Sequence, residues 1–187
     1  MSRLGALILA LAVTAAPAHA QGATTWRAGI VVGKDDDGTG RMYTSIGGAV
    51  QVDRAIVTNG SIALGLAARF TAISGSLFME ATCVSDPCRP KPHTHLQWFA
   101  GAGPSLTVER DAARNRVLFA RGALIAGGGV AADIPNPSPV RVAFSSAMIN
   151  AGLGVRGDRA SLEVEYTRGG MRSVTHAEWG LLFGWRP

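Results

Sequence analysis

Apolar and polar residues alternate with a period of two along six segments of the chain. Residues 62–71 show the pattern most clearly, because one face is apolar throughout and the other holds small or polar side chains. The apolar face comprises Ile62, Leu64, Leu66, Ala68 and Phe70, and the opposite face comprises Ala63, Gly65, Ala67, Arg69 and Thr71. Since successive side chains of a β-strand point to opposite sides, each segment predicts a strand with two contrasting faces.

Two further segments, 116–131 and 140–156, are apolar and rich in small residues, but their alternation changes phase. We expect a β-bulge or a glycine bend in each. The stretch from Glu109 to Ala126 is also the best helix candidate, since Ala, Arg and Leu follow an acidic start. In the strand interpretation, eight strands lie at roughly 24–33, 43–53, 61–75, 93–108, 115–131, 140–156, 159–168 and 173–185.

The connections between these strands differ in length on the two sides of the sheet. Short turns are expected after every second strand, at 58–60, 110–114 and 157–158, and Asn59-Gly60 is a typical hairpin turn. The alternate connections, 34–42, 76–92 and 133–139, are longer and rich in Asp, Gly and Pro, and 169–172 follows the seventh strand. This sorting predicts an all-β fold, a closed antiparallel up-and-down eight-stranded transmembrane β-barrel with both termini on the periplasmic side.

Residues 1–20 have the features of a secretory signal peptide. Arg3 provides a basic start, residues 4–13 are apolar, and Ala18-His19-Ala20 matches the small-x-small cleavage pattern. The alternative is a buried N-terminal helix. We expect cleavage before Gln21, export, and a single barrel domain formed by residues 21–187.

Composition narrows the function classes. The chain has 187 residues, a formal net charge of +5 and a positive mean hydropathy. Its basic residues are scattered singly, which does not indicate a nucleic-acid surface. No run of about 18 apolar residues follows residue 20, so no transmembrane helix is predicted.

An eight-stranded barrel has an interior just wide enough to be filled by side chains. Charged residues on the polar faces must then be paired, because an isolated buried charge is unfavourable. We predict an interior network of Arg27, Arg69, Arg121, Glu163, Glu165 and Glu178, or alternatively solvated positions near the rim for some of them. Trp26, Tyr43, Trp98, Trp179 and Trp185 would form the interfacial aromatic belts.

Cys83 and Cys88, with His93 and His95, present metal-ligand residue types. In an oxidising compartment a disulfide between the two cysteines is the favoured interpretation. We therefore predict neither a metal site nor a cofactor, and leave open whether these four residues ever bind metal.

Other candidate motifs are incomplete. Asp35-Asp36-Asp37-Gly38 resembles part of a calcium loop but lacks the remaining ligand spacing. His176 and Glu178 share a strand face, but no nucleophile is paired with them in the sequence. No catalytic residue is predicted.

The last strand carries a more specific motif. Glu178-x-Gly180-x-x-Phe183-x-Trp185 resembles the C-terminal assembly signal of bacterial outer-membrane barrels, although Arg186 and Pro187 follow the terminal aromatic residue. Residues 21–187 resemble the small eight-stranded family typified by the barrel of outer-membrane protein A and the opacity-type proteins. The resemblance implies insertion by the barrel-assembly machinery.

The leading hypothesis is a non-enzymatic outer-membrane protein of Gram-negative bacteria that contributes to envelope structure or surface contact through segments 34–42 and 76–92. Its expected partners are outer-membrane lipid and lipopolysaccharide and the barrel-assembly machinery, with no nucleic acid and an unidentified extracellular partner. The alternatives are a lipid-modifying barrel enzyme and a soluble periplasmic β-barrel or sandwich that binds a small apolar ligand.

Overall fold

A computed structural model describes residues 23–36, 42–78, 92–112, 116–134, 141–171 and 174–187. These residues form a closed barrel in which the strands are neighbours in chain order, and the first strand pairs with the last. The strands are β1 (Thr24–Asp36), β2 (Met42–Asn59), β3 (Ile62–Phe78), β4 (Pro92–Ala112), β5 (Arg116–Ile134), β6 (Arg141–Arg156), β7 (Ala160–Met171) and β8 (Val174–Trp185). The predicted fold class is therefore confirmed.

Antiparallel pairing brings both ends of the barrel sequence to the same rim. Trp26 of β1 is opposite Trp185 of β8, so the junction joins the two ends of the barrel. The β2–β3 hairpin has a two-residue turn after the Asn59–Ile62 pair. Gly60 begins this turn with a φ of 58°, a left-handed conformation that glycine adopts without steric cost.

The structure decides one alternative that the sequence left open and corrects the prediction of bulges. The helix candidate between Glu109 and Ala126 lies in β4 and β5 wherever the structure describes it. Of the β-bulge or glycine bend expected in each of β5 and β6, a bulge is absent from their described pairing, which runs from Val117–Arg156 to Ala132–Arg141 in one register. The alternation of apolar and polar residues is irregular in these two strands because some of their inward positions carry apolar residues, including Ile125 and Met148. A register shift occurs instead in β2, between Ala55 and Val57.

Most strands extend beyond the predicted bounds. β2 continues to Asn59, and β4 includes Arg110, which pairs with Leu118 although a turn was expected at 110–114. β5 likewise includes Asp133 and β7 includes Gly169, although each of these residues was expected to begin a connection. Backbone hydrogen bonding continues past the apolar band of a barrel, whereas the amphipathic alternation ends with that band.

Burial is inverted relative to a water-soluble protein. Large apolar side chains cover the outside, and Ile149 and Leu153 are 66% and 68% exposed. Most of the described side chains buried inside are polar or charged, and Arg69 and Glu163 are each 1% exposed. Alternation therefore separates a polar interior from an apolar outer surface in a single layer of sheet.

Inward-facing glycines allow the strands to approach closely on the concave side. A Cβ atom on Gly29 would collide with the backbone carbonyl oxygen of Leu181 on β8. Gly47 and Gly127 have the same relation to the carbonyls of Ala72 and Ala100. Tight curvature thus depends on the absence of a side chain at these positions.

The described ranges contain no helix of the length and apolarity needed to cross a membrane. The predicted signal peptide (residues 1–20), Asp37, Gly38, Cys83 and Cys88 lie outside the described residues, so cleavage and the disulfide stay predictions.

Candidate functional site: the charged interior

Ion pairs in the barrel interior join residues of β1, β2, β3, β5, β7 and β8. The structure places the six charged residues named from the sequence inside the barrel, and Asp53 joins them. Three arginines contact four carboxylates in this group. Its members are Arg27, Arg69, Arg121, Asp53, Glu163, Glu165 and Glu178; we call them the interior charge network.

Arg69 of β3 reaches across the lumen to β7 and β8. Its guanidinium NH1 lies 2.6 Å from Glu165, and its NH2 lies 2.5 Å from Glu178. Its Nε donates to Thr71 at 3.0 Å, and NH1 also donates to Gln51 at 3.3 Å. Because the Arg69 side chain is 0% exposed, these groups replace the water that would otherwise solvate its charge.

Glu163 of β7 links the other two arginines. Arg121 donates to it through Nε at 3.0 Å and NH2 at 2.7 Å, and NH2 also lies 3.2 Å from Glu165. The Nε of Arg27 is 2.7 Å from the second oxygen of Glu163. Arg27 also pairs with Asp53 on the neighbouring strand, and its guanidinium carbon lies 5.6 Å from the ring centroid of Phe119.

Neutral and titratable side chains extend the network towards the far end of the barrel. His176 Nε2 lies 3.2 Å from a Glu178 oxygen. The Asn150 amide donates to Glu165 at 3.0 Å and to Thr167 at 2.6 Å. The sequence interpretation missed Asp53 and Asn150 and did not join His176 to the network, although each lies on the inward face of its strand.

Two apolar clusters flank the network within the interior. The first comprises Ala67, Phe99, Ala123, Ile125 and Met148, with Phe144 packed against it. The second comprises Val31, Ala49, Ile73 and Leu182. These clusters reduce the space open to water beside the ion pairs, which strengthens the electrostatic interactions.

A second ion cluster lies at the rim that holds the barrel termini. Arg156 of β6 forms a forked pair with Glu109 of β4, one arm at 2.8 Å. Arg186, just beyond β8, donates to Thr25 at 3.0 Å and lies 3.5 Å from Glu109. Partial burial and the positive charge of Arg156 lower the pKa of Arg186. The residue that departs from the usual C-terminal motif therefore links the chain end to β1 and β4.

The interior leaves little room for a ligand among the described residues. A cavity of about 40 Å³ lies at the rim, bordered by Arg27, Asp53 and Glu109. A cavity of about 10 Å³ lies beside Thr71, His176 and Glu178. The latter is about the size of one water molecule, and binding pockets for small ligands are usually several hundred Å³.

The residues of the assembly motif occupy both faces of β8. Glu178 and Gly180 face the interior, whereas Phe183 and Trp185 are exposed on the outer surface. β8 pairs with β1 on one side and β7 on the other. The motif thus lies on the strand that closes the barrel.

Aromatic side chains form two groups on the outer surface. Trp26 and Trp185 stack with ring centroids 6.4 Å apart near the terminal rim. Tyr166 and Trp179 lie 4.8 Å apart further along β7 and β8. This placement is consistent with interfacial belts.

His93 and His95 lie in β4, but their side chains are outside the described part of the structure. The described residues contain no group of three or more His, Cys, Asp or Glu arranged to hold a metal ion.

Solved structures of outer-membrane proteins have the same architecture. The attachment invasion locus protein Ail of Yersinia pestis, solved with the heparin analogue sucrose octasulfate, matches with a TM-score of 0.61 and 15% identity, covering 89% of this chain and 99% of that one. Neisserial surface protein A matches with a TM-score of 0.60 and 10% identity, covering 88% and 97%. No known family's sequence profile and no curated protein sequence matches the chain. The fold is that of the small eight-stranded outer-membrane barrels.

Proposed function

We propose that the protein is a non-enzymatic integral outer-membrane barrel with a role in envelope structure or surface interaction. The observation that carries the proposal is the inverted burial: large apolar side chains cover the outer wall, and buried ion pairs cross the interior. Exposed apolar surface of this extent is unfavourable in water and suited to lipid. The likeness to solved outer-membrane proteins supports the same location.

The width of the uncharged outer wall supports a membrane-spanning position. On β1, the outward residues from Trp26 to Val32 are uncharged, and Lys34 is the next outward position. Eight residue steps correspond to about 27 Å along a strand, or about 21 Å along the axis of a barrel with strands tilted by about 40°. This value is close to the apolar band of about 25 Å in outer-membrane barrels.

The filled interior favours a structural role over catalysis or ligand storage. His176 and Glu178, the pair that could have served an enzyme, are each 1% exposed and face the interior. A lipid substrate would approach from the outer wall, on the opposite face of β8. We propose that contact with other molecules occurs through segments 34–42 and 76–92, that the barrel-assembly machinery inserts the chain, and that lipopolysaccharide surrounds it.

The first experiment is to compare cold and boiled gel migration of the protein in membrane fractions. We expect the protein in the outer-membrane fraction, resistant to carbonate and urea washing, with a mobility shift on boiling. The matched control is Leu181→Asp, which places a charge on the outer wall and should reduce the heat-shifted form. Release by washing together with no shift would contradict the proposal and favour a soluble periplasmic protein.

A lipopolysaccharide-deacylation assay separates the enzymatic alternative. We expect no acyl chain release by the folded wild-type protein. Release that disappears in His176→Ala, while the heat shift is retained, would replace the proposed role with catalysis.

A further inference from the structure

Two basic side chains lie in one row on the outer wall. Lys34 of β1 and Arg168 of β7 both pair with Ala177 of β8, one from each side. Both basic residues are exposed, and Ala177 between them is partly exposed. The row therefore presents two cations separated by a small side chain.

The spacing of the row suits an anionic group. Neighbouring strands lie about 4.8 Å apart, so the backbones at Lys34 and Arg168 are about 10 Å apart. Both side chains are long and flexible and can approach each other over Ala177. Arginine binds phosphate oxygens in a forked geometry, and lysine adds a point charge.

An aromatic pair marks the depth of this row. Trp179 and Tyr166 are register partners one outward position further into the wall, and Trp179 is 61% exposed. Such side chains favour the boundary between headgroups and hydrocarbon. The two cations thus lie on the headgroup side of the aromatic pair, at the end of the barrel away from the chain termini.

Among the side chains that the structure describes, Lys34 and Arg168 form no ion pair. Their described outward neighbours on β8 are Thr175, Ala177 and Trp179, all uncharged. Other outward arginines, Arg110 and Arg116, lie at the opposite end of the barrel.

We propose that Lys34 and Arg168 bind the phosphate of a lipid headgroup in the outer leaflet, with Trp179 and Tyr166 packing against the upper acyl chains. The inference rests on the proposed outer-membrane function and adds a specific anionic-lipid site to it. In a Gram-negative outer membrane the phosphorylated lipid anchor of lipopolysaccharide supplies this chemistry.

Native mass spectrometry of the purified full-length mature protein tests the site. The detergent-solubilised barrel is offered equal amounts of diphosphorylated lipid anchor and its dephosphorylated form, with a chelator present to remove divalent cations. We expect one phosphorylated lipid to be retained selectively. Lys34→Gln/Arg168→Gln should reduce that selectivity about 30-fold, which is about fivefold for each basic residue.

Two further variants make the result specific. Lys34→Arg/Arg168→Lys preserves both charges and should retain the selectivity. Arg110→Gln/Arg116→Gln removes two exposed charges from the opposite rim and should leave it unchanged. The proposed site would be wrong if Arg110→Gln/Arg116→Gln lost as much selectivity for the phosphorylated lipid as Lys34→Gln/Arg168→Gln. It would also be wrong if Lys34→Gln/Arg168→Gln lost none.

The gel-migration experiment distinguishes failure of the lipid site from failure of the proposed function. A heat-shifted, membrane-integrated barrel without phosphate selectivity refutes only the lipid site. Absence of both the shift and membrane integration refutes the proposed function and the site with it.

Discussion

Replacement of Arg69 by methionine tests whether the interior charge network stabilises the barrel. Arg69→Met keeps most of the side-chain length but removes a guanidinium that contacts Glu165 and Glu178. Both carboxylates are buried, so each loses a charged partner without gaining access to water. Breaking a buried ion pair by removing one partner typically costs about 3–5 kcal/mol.

The contacts that Glu165 and Glu178 keep in Arg69→Met determine how much of the free energy of unfolding should be lost within this range. Glu165 keeps Arg121 at 3.2 Å and Asn150 at 3.0 Å, and Glu178 keeps His176 at 3.2 Å. Neither carboxylate is therefore left entirely alone. We expect Arg69→Met to lower the free energy of unfolding by about 3 kcal/mol, at the lower end of the range.

A second substitution separates charge from packing. Glu178→Gln on the Arg69→Met background removes one of the two under-compensated charges and keeps the side-chain volume. We expect it to restore about 1–2 kcal/mol, because a neutral amide is less costly to bury than an unpaired carboxylate. A loss caused only by packing would not be restored.

Equilibrium urea unfolding in lipid vesicles measures these differences, with tryptophan emission and the heat-shifted gel band as independent probes. The free energy of unfolding is extrapolated linearly to zero urea. Arg110→Met, at an exposed position, is the control and should match the wild type. A free energy for Arg69→Met within about 1 kcal/mol of the wild type would refute the argument, since that is the range of exposed pairs.

Three other substitutions or measurements probe separate features. Leu181→Arg, near the middle of the outer wall, should cost about 2–4 kcal/mol in vesicle unfolding, and Thr175→Arg near the end of β8 about 1 kcal/mol or less; equal costs would contradict the assigned depth. Gly29→Ala should lose about 1–3 kcal/mol through overpacking, whereas Gly122→Ala, with no atom within 4 Å of its added Cβ, should be neutral in the same assay. The two cysteines in segment 79–91 should resist alkylation in urea until a reductant is added; immediate labelling would exclude the disulfide.

The strand order could be predicted because each strand of the barrel has one face on the apolar outer wall and one face towards the interior. The two faces give apolar and polar residues a period of two, which can be recognised even in a single segment such as 62–71. The strand ends were predicted less well, because pairing such as Arg110 with Leu118 depends on backbone hydrogen bonds that any side chain permits. The bulges were misplaced because the interior was assumed to be uniformly polar, whereas Ile125 and Met148 belong to an apolar cluster within it.

The charged residues could be assigned to a face from alternation alone, but their partners could not. The contact of Arg69 with Glu178 spans 109 residues and depends on the relative stagger of non-adjacent strands. Asp53 was visible as a polar residue on the inward face of β2. Its pairing with Arg27 follows from the β1–β2 register, which the alternation of apolar and polar residues does not specify.

The β1–β8 junction has a consequence for biosynthesis. The pairing of Trp26 with Trp185 can form only after the last strand has been made and delivered, since the two partners lie near opposite ends of the folded sequence. Until then, β1 and the newest strand both have unpaired backbone edges, which are prone to aggregation and unfavourable in lipid. A chain truncated before β8 would therefore be unable to close the barrel, and we expect proteases to degrade it. The junction therefore makes synthesis of the last strand a condition for forming the closed barrel.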